Sequence, residues 1–390
     1  MRLLNLLTLM FAVSMASADT AEMTLLKTDP EAELLSAINV FRQGELDVAL
    51  DMVEELLSEV PNYRLAHLVH GDLMAASAGR PLSFEASSTL SQDSIKPLLH
   101  EVRQRYRGNG FLPTQQVPAA LIKMTNAQTH AVAVDLSLSR LYLFENLDGE
   151  PRLIKDYYVS IGKNGPRKEV EGDRRTPLGV YKVTQRLPGE KLPDKYGPVA
   201  FPVNYPNSLD RVRGKTGSGI WLHGMPSKNY SRPPLDSDGC VALTNRDLME
   251  IAPLITPGIT PVLIGETLDW VSNDVVLDTR REIEDSLDRW RRSWSEENTE
   301  AFLSHYDESF EGRGMDINGW RENKRQVIPN SGDISVSLSN VGLLAHPEED
   351  NLVLVTFRQH YKSAKFSSSI NKRQYWRKTR DGWRIVFEGS

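Results

Sequence analysis

The chain has 390 residues, 46 basic and 52 acidic side chains, a net charge of −6 and 40% hydrophobic residues. That is an ordinary globular composition, with length for about two to three domains. The acidic balance gives no hint of a nucleic-acid partner, and clusters such as Lys372-Arg373 and Arg289 to Arg292 are interleaved with acids or aromatics, as on solvated faces.

In chain order, residues 1–18 have the three parts of a secretory signal: Arg2, an apolar stretch from Leu3 to about Val13, and small residues ending Ala16-Ser17-Ala18. Cleavage is expected before Asp19. The apolar stretch is shorter than the roughly 20 residues a membrane span needs, and no later segment is apolar enough. No cysteine lies near the cleavage point, which excludes a lipoprotein anchor. The expected mature chain is soluble and periplasmic.

Residues 19–80 read as a helical region. Leu34, Leu35, Ile38 and Phe41 recur at helical spacing, Gly44 breaks the pattern, and Leu46, Ala49, Leu50, Val53, Leu56 and Leu57 resume it before Pro61. Leu65, Leu68, Val69 and Leu73 follow on a third helix. The phrase from Phe41 to Leu50 resembles a tetratricopeptide unit. One such unit cannot bury its own face, so it must pack on the next domain or on a partner. A plain helical lid is the alternative. Residues 81–128 are expected to be a linker and helical connector, Ser-rich from Pro81 to Ser94.

From residue 129 to 265 the period becomes two. His130 to Asp135 and Arg140 to Phe144 flank a Ser-containing turn, and Asp148-Gly149 is a second hairpin signal before Leu153 to Ile161. Val180 to Val183, Ile220 to Leu222 and Pro261 to Ile264 continue as short strands, which predicts a mostly antiparallel β sandwich or barrel. After a short connector over 266–276, Ile283, Leu287, Trp290 and Trp294 line one helix face, and Phe302 and Tyr306 are assigned to another helix. Ile334 to Leu338, Leu352 to Phe357, Tyr375-Trp376 and Trp383 to Phe387 then alternate as strands. Helices followed by a curved antiparallel sheet over 277–390 resemble the nuclear transport factor 2-like α+β cone. A pocket, a dimer contact or simple packing are all open to such a cone.

The chemistry concentrates at Cys240, the only cysteine, in Ser237-Asp238-Gly239-Cys240. A disulfide lacks a partner, and the eight histidines show no metal-type spacing such as HExxH. A small buried hydrophobe is the bland alternative. Turn-forming Ser237 and Asp238, and Gly239, which allows close backbone approach, favour a nucleophile. Its base is expected to be His223, 17 positions upstream at a strand end. Alternation puts Trp221 and His223 on one face, toward a cleft, and Ile220 and Leu222 on the other. A histidine partner is expected to depress the thiol pKa. Thr244 to Asp247 reads as a helix start, leaving backbone N–H groups of Gly239 and Cys240 to face an oxyanion.

His223-Gly224-Met225 and Ser237 to Val241 together resemble the signature of the L,D-transpeptidase catalytic domain, the cysteine acyltransferases of peptidoglycan. Ala133-Val134-Asp135, Arg140-Leu141-Tyr142, the run from Glu171 to Tyr181 and Tyr205-Pro206-Asn207 agree in order, so the resemblance spans Thr129 to Ile264. It implies that Cys240 is acylated by a peptidoglycan stem peptide at the bond between the third-position diamino acid and D-alanine. His223 would act as base and then acid, Ser237 would hold both in register, and Gly239 and Cys240 would donate to the oxyanion. No cofactor or metal is implied. Trp221, Gly224 and Asp238 are candidate substrate contacts. Many members have histidine at the position of Asp238 and arginine at that of Ala242; Arg174, Arg175 or Lys168 are candidates to replace that guanidinium. The acyl-enzyme could pass to an amine (transpeptidation), to water (carboxypeptidase trimming of tetrapeptide to tripeptide), or arise in an amidase that releases wall-bound protein. The domain order is similar to cell-shape L,D-carboxypeptidases of curved bacteria. A non-catalytic wall-binding scaffold, with a protein partner or dimer engaged through the N- or C-terminal region, is the competing class.

Overall fold

A computed structural model describes residues 29–80, 92–108 and 115–389. The expected signal segment and most of the Ser-rich linker lie outside the described residues.

Among the described residues four helices come first: α1 (Pro30–Arg42), α2 (Leu46–Glu59), α3 (Arg64–Ser77) and α4 (Gln92–Gly108). Asp29 caps α1 by accepting the Glu31 N–H at 3.0 Å, and Pro30 in the first turn needs no hydrogen bond of its own. The apolar stripes predicted from spacing meet in one core built on Leu34, Ala49, Val53, Leu56, Leu65 and Leu73. Leu98 of α4 closes that core, and Tyr230 of the central domain packs against it. The repeat-like face is therefore covered from within the chain, by a fourth helix that occupies the expected connector.

The central region has two main sheets. Five strands run in the order Glu150–Tyr158, Arg140–Leu147, His130–Asp135, Pro261–Gly265, Gly179–Lys182. All neighbours are antiparallel except His130–Asp135 with Pro261–Gly265. The two-residue turn Asp148-Gly149 has φ of 54° and 94°, the left-handed conformation that a tight hairpin requires. The second sheet orders Val241–Ala242, Trp221–His223, Val199–Pro202 and Leu187–Pro188, with its first pair parallel. Val132, Val134, Leu141, Leu143, Phe201, Leu222, Val241 and Ile264 fill the space between the sheets.

The continuous apolar run Ala131 to Val134 has a separate cause. Ala131, Ala133, Tyr142 and Phe144 on the outer face pack against Leu344, Leu352, Leu354 and Tyr375 of the C-terminal sheet, so these strands are buried on both faces.

The C-terminal region lays the helix Asn273–Ser295 across a seven-stranded sheet. Ile283, Leu287, Trp290 and Trp294 all point into its core, as their spacing predicts. The helix begins inside the expected connector, and the strand Trp270–Ser272 precedes it. Tyr306 corrects the helical assignment: the helix Thr299–Leu303 ends at Ser304, and Tyr306–Gly312 is a strand. The cause is a register bond from Ile385 N to His305 O at 2.8 Å, which recruits the chain to the sheet beside Gly382–Gly389. The far edge holds a second surprise. Leu121–Lys123, expected in the connector, pairs with Ser335–His346, while Gln116–Pro118 pairs with Trp270–Ser272. Among the described residues no helix is long and apolar enough to cross a membrane.

Candidate active site

The parallel pairing of Trp221–His223 with Val241–Ala242 sets the geometry. Leu222 is in register with Val241 and His223 with Ala242, and Cys240 is the bend residue immediately before that pairing. Leu222 and Val241 point into the core. Side chains alternate, so Trp221 and His223 share the opposite face.

His223 Nδ1 lies 2.6 Å from the Gly224 carbonyl oxygen. A carbonyl only accepts, so Nδ1 carries the proton and Nε2 keeps its lone pair. The ring is 4% exposed, and Tyr196 meets it edge-on with centroids 5.1 Å apart. Burial pushes its pKa down to about 4; the Gly224 carbonyl opposes this, and Arg232 and Lys195 add to it.

The Cys240 thiol is partly accessible and donates to the Gly219 carbonyl at 3.3 Å. Burial raises its pKa to about 11, outweighing the Trp221 backbone N–H, which favours the thiolate; Asp238 raises it further, and Arg232 and Lys195 lower it. The expected depression of the thiol pKa is thus reversed. Desolvation acts against both charged forms, which favours a neutral thiol and a neutral imidazole near pH 7.

The turn that carries the thiol is fixed by hydroxyls. Ser237 Oγ donates to the Cys240 carbonyl at 2.6 Å and accepts the Gly239 N–H at 3.1 Å. Thr176 Oγ1 donates to the Gly239 carbonyl at 3.1 Å and accepts the Gly162 N–H at 2.9 Å. Gly239 has φ of 123°, and a Cβ there would sit 2.7 Å from the Arg175 carbonyl oxygen. The Gly239 N–H, expected to face an oxyanion, is instead committed to Ser237, because the turn folds the serine back beneath it.

The other expected residues divide. Gly224 packs tightly against Asn245, whose Oδ1 accepts the Met225 N–H at 2.7 Å, and its own N–H donates to the Tyr196 carbonyl at 2.9 Å. Trp221 is half-buried beside the Tyr196 ring at 4.7 Å. Asp238 is 71% exposed, with Lys163 at 3.4 Å and Arg174 at 4.0 Å. Arg174 and Arg175 are exposed, the latter donating to the Pro166 carbonyl at 3.0 Å. Lys168 is buried, and its ammonium is held by Asp173 at 2.7 Å and the Val170 carbonyl at 3.0 Å. That pairing occupies the charge that was a candidate for a substrate carboxylate.

Sequence reading missed Tyr196, Asn245, Thr176, Lys195 and Arg232. The Pro193 to Pro198 run, punctuated as a turn, was the available signal for Tyr196. The basic charges that act on both Cys240 and His223 are Arg232 and Lys195. Arg232 is oriented by Asp236, at 3.0 Å from Nε.

Comparison with known proteins agrees with this architecture. The L,D-transpeptidase catalytic domain family matches residues 129–264, and the Cds6 C-terminal NTF2-like domain matches 282–389. Bd1075 of Bdellovibrio bacteriovorus is similar in structure, with a TM-score of 0.62 and 30% identity over 70% of this chain and 97% of that one. The chain belongs to the L,D-transpeptidase family, with a C-terminal NTF2-like domain. The helical cell shape determining protein Pgp2 of Campylobacter jejuni shares the fold at TM-score 0.59 and 23% identity, over 74% of this chain and 99% of that one. YafK of Escherichia coli strain K12 is 29% identical over 118 residues, 30% of this chain; the match spans 43% of that protein's length.

Proposed function

We propose that the protein is a cysteine acyl-transfer enzyme acting on peptidoglycan stem peptides. The observation that carries this reading is Cys240 at the entry to the strand paired with that of His223, its thiol at the Gly219 carbonyl, with His223 Nδ1 tied to Gly224 and Nε2 left with a lone pair. In the proposed cycle, Nε2 takes the thiol proton as Sγ attacks the carbonyl carbon of the third-position diamino acid. The C–N bond to D-alanine breaks, and the imidazolium returns the proton to the leaving amine. A thioester remains on Cys240. The Cys240 N–H is our assignment for the oxyanion donor, since the Gly239 N–H is already bonded. Trp221 and Tyr196 form an aromatic wall suited to the peptide. The thioester then passes to an amine or to water, which makes the protein a transpeptidase or a carboxypeptidase. The expected signal segment accords with work in the periplasm.

The test is to incubate the protein with disaccharide tetrapeptide, with and without an added D-amino acid, and weigh the products. Exchange of the terminal residue is the expected result; loss of alanine alone assigns hydrolysis. No change in either arm, or equal product from Cys240→Ala, would overturn the enzyme reading in favour of a scaffold.

A further inference from the structure

Helix α4 meets the central domain through buried charge. Arg105, 1% exposed, places its guanidinium 3.0 Å from Glu101 and 3.1 Å from Glu31 of α1. The second Glu31 oxygen reaches Arg140 at 2.8 Å, and Arg140 reaches Asp156 at 3.3 Å. Charges therefore alternate across the whole contact. Apolar side chains of similar volume would hold such a contact at least as firmly. What ion pairs of fixed direction add is a single relative placement of the surfaces they join.

The surface joined is the segment leading to the thiol. The Arg105 guanidinium lies 3.8 Å from the Tyr158 ring centroid, and the Tyr158 hydroxyl donates to the Arg232 carbonyl at 3.1 Å. Ser160 Oγ donates to the Pro233 carbonyl at 2.6 Å, and Ile161 N to the Pro234 carbonyl at 2.8 Å. Tyr63, at the start of α3, packs on Tyr230 with centroids 4.6 Å apart, and the Ser231 hydroxyl lies beside the Glu101 carboxyl. Each residue from Tyr230 to Pro234 is thus held from behind. Directly beyond them Leu235–Ser237 enters the turn in which Ser237 fixes Gly239 and Cys240.

We propose that the N-terminal helices complete the site: Arg105, clamped between Glu31 and Glu101 and stacked on Tyr158, is a positioning residue that sets segment 230–237 and through it the orientation of the Cys240 turn. The inference rests on Cys240 being the nucleophile.

The test uses the full chain with Tyr158→Phe, Ser231→Ala and Arg105→Lys, and Ser231→Thr as the conservative control. Three quantities are read: the pH profile of Cys240 alkylation by iodoacetamide, D-alanine release per alkylatable thiol, and the thermal midpoint. Tyr158→Phe and Ser231→Ala are expected to shift the alkylation profile and to lower kcat per titrated thiol by about 5- to 30-fold with KM little changed, as small misplacements of a reacting atom do. Arg105→Lys is expected to do more, and Ser231→Thr to behave as wild type. A merely structural contact would lower the thermal midpoint and the titratable fraction while leaving both the profile and the turnover of the remaining thiols untouched. That result in all three variants overturns the proposal. If the wild type releases no D-alanine, the proposed function fails on its own, and the alkylation profiles still decide the positioning role.

Discussion

The neutral thiol–imidazole pair can be tested through the rate at which Cys240 reacts with iodoacetamide as pH is varied. With the thiol near 11, against about 8.5 for a free cysteine, the thiolate fraction at pH 7 is about 300-fold smaller than in an unstructured peptide. A more basic thiolate is intrinsically more nucleophilic, and a Brønsted slope of about 0.4–0.5 returns roughly tenfold of that loss. Alkylation at pH 7 is therefore expected to run about 30-fold slower than for a cysteine peptide, and to rise close to tenfold per unit up to about pH 10. His223→Gln is expected to leave this profile nearly unchanged, because a neutral imidazole holds no thiolate in place, while turnover falls by about 10²- to 10⁴-fold with loss of the base. The assay is pseudo-first-order alkylation followed by intact mass. A plateau reached below pH 8, or a rate at pH 7 matching the peptide, would show a thiolate–imidazolium pair and refute the electrostatic reasoning.

Other perturbations have equally definite outcomes. Ser237→Ala removes an acceptor from the Gly239 N–H and a donor from the Cys240 carbonyl; a loss of about 1–3 kcal/mol is expected in denaturant unfolding, together with reduced turnover. Gly239→Ala meets the Arg175 carbonyl in a conformation that L residues rarely adopt, so inactive protein is expected, read by product mass. Arg140→Met leaves Asp156 without its cation and takes one of the two from Glu31, which keeps Arg105, and is expected to cost about 3–5 kcal/mol in the same unfolding assay. His223, His305 and His346 all have folded pKa values near 4, below the unfolded 6.5. The unfolded chain takes up these protons first, so their contribution is constant above pH 6.5 and is lost as pH falls toward 4; for His223 the loss approaches about 3 kcal/mol. Thermal midpoints across that window, with His305→Gln flattening the slope, check the sign.

The sequence exposed the parts of the site that depend on local chemistry. A single cysteine after Ser237-Asp238-Gly239, and a histidine closing an apolar strand, were readable because glycine, turn formers and period-two alternation act over a few residues. The electrostatics were not. Burial chiefly decides whether His223 and Cys240 carry charge, with Arg232 and Lys195 reaching both through the fold, and residue spacing does not report burial. The same limit explains the fold. Trp290 and Trp294 declared their helix through a strong stripe, whereas Tyr306 and Leu121 became strands only because distant edges were open to them. Burial of Ala131 to Val134 on both sides likewise required a second sheet that no local pattern announces.

The seam made by Leu121–Lys123 bears on how this molecule is cut for study. The chain joins the C-terminal sheet before the central region is built and returns to it afterwards, so the catalytic portion is an insertion between two pieces of one β structure. A fragment begun at residue 277 lacks its outermost strand and bares the backbone of Ser335–His346 to self-association. One ended at residue 265 keeps Leu121–Lys123 with nothing to pair. Dissection by tethering both pieces, or by excising the insertion and bridging its ends, would respect that connectivity where simple truncation does not.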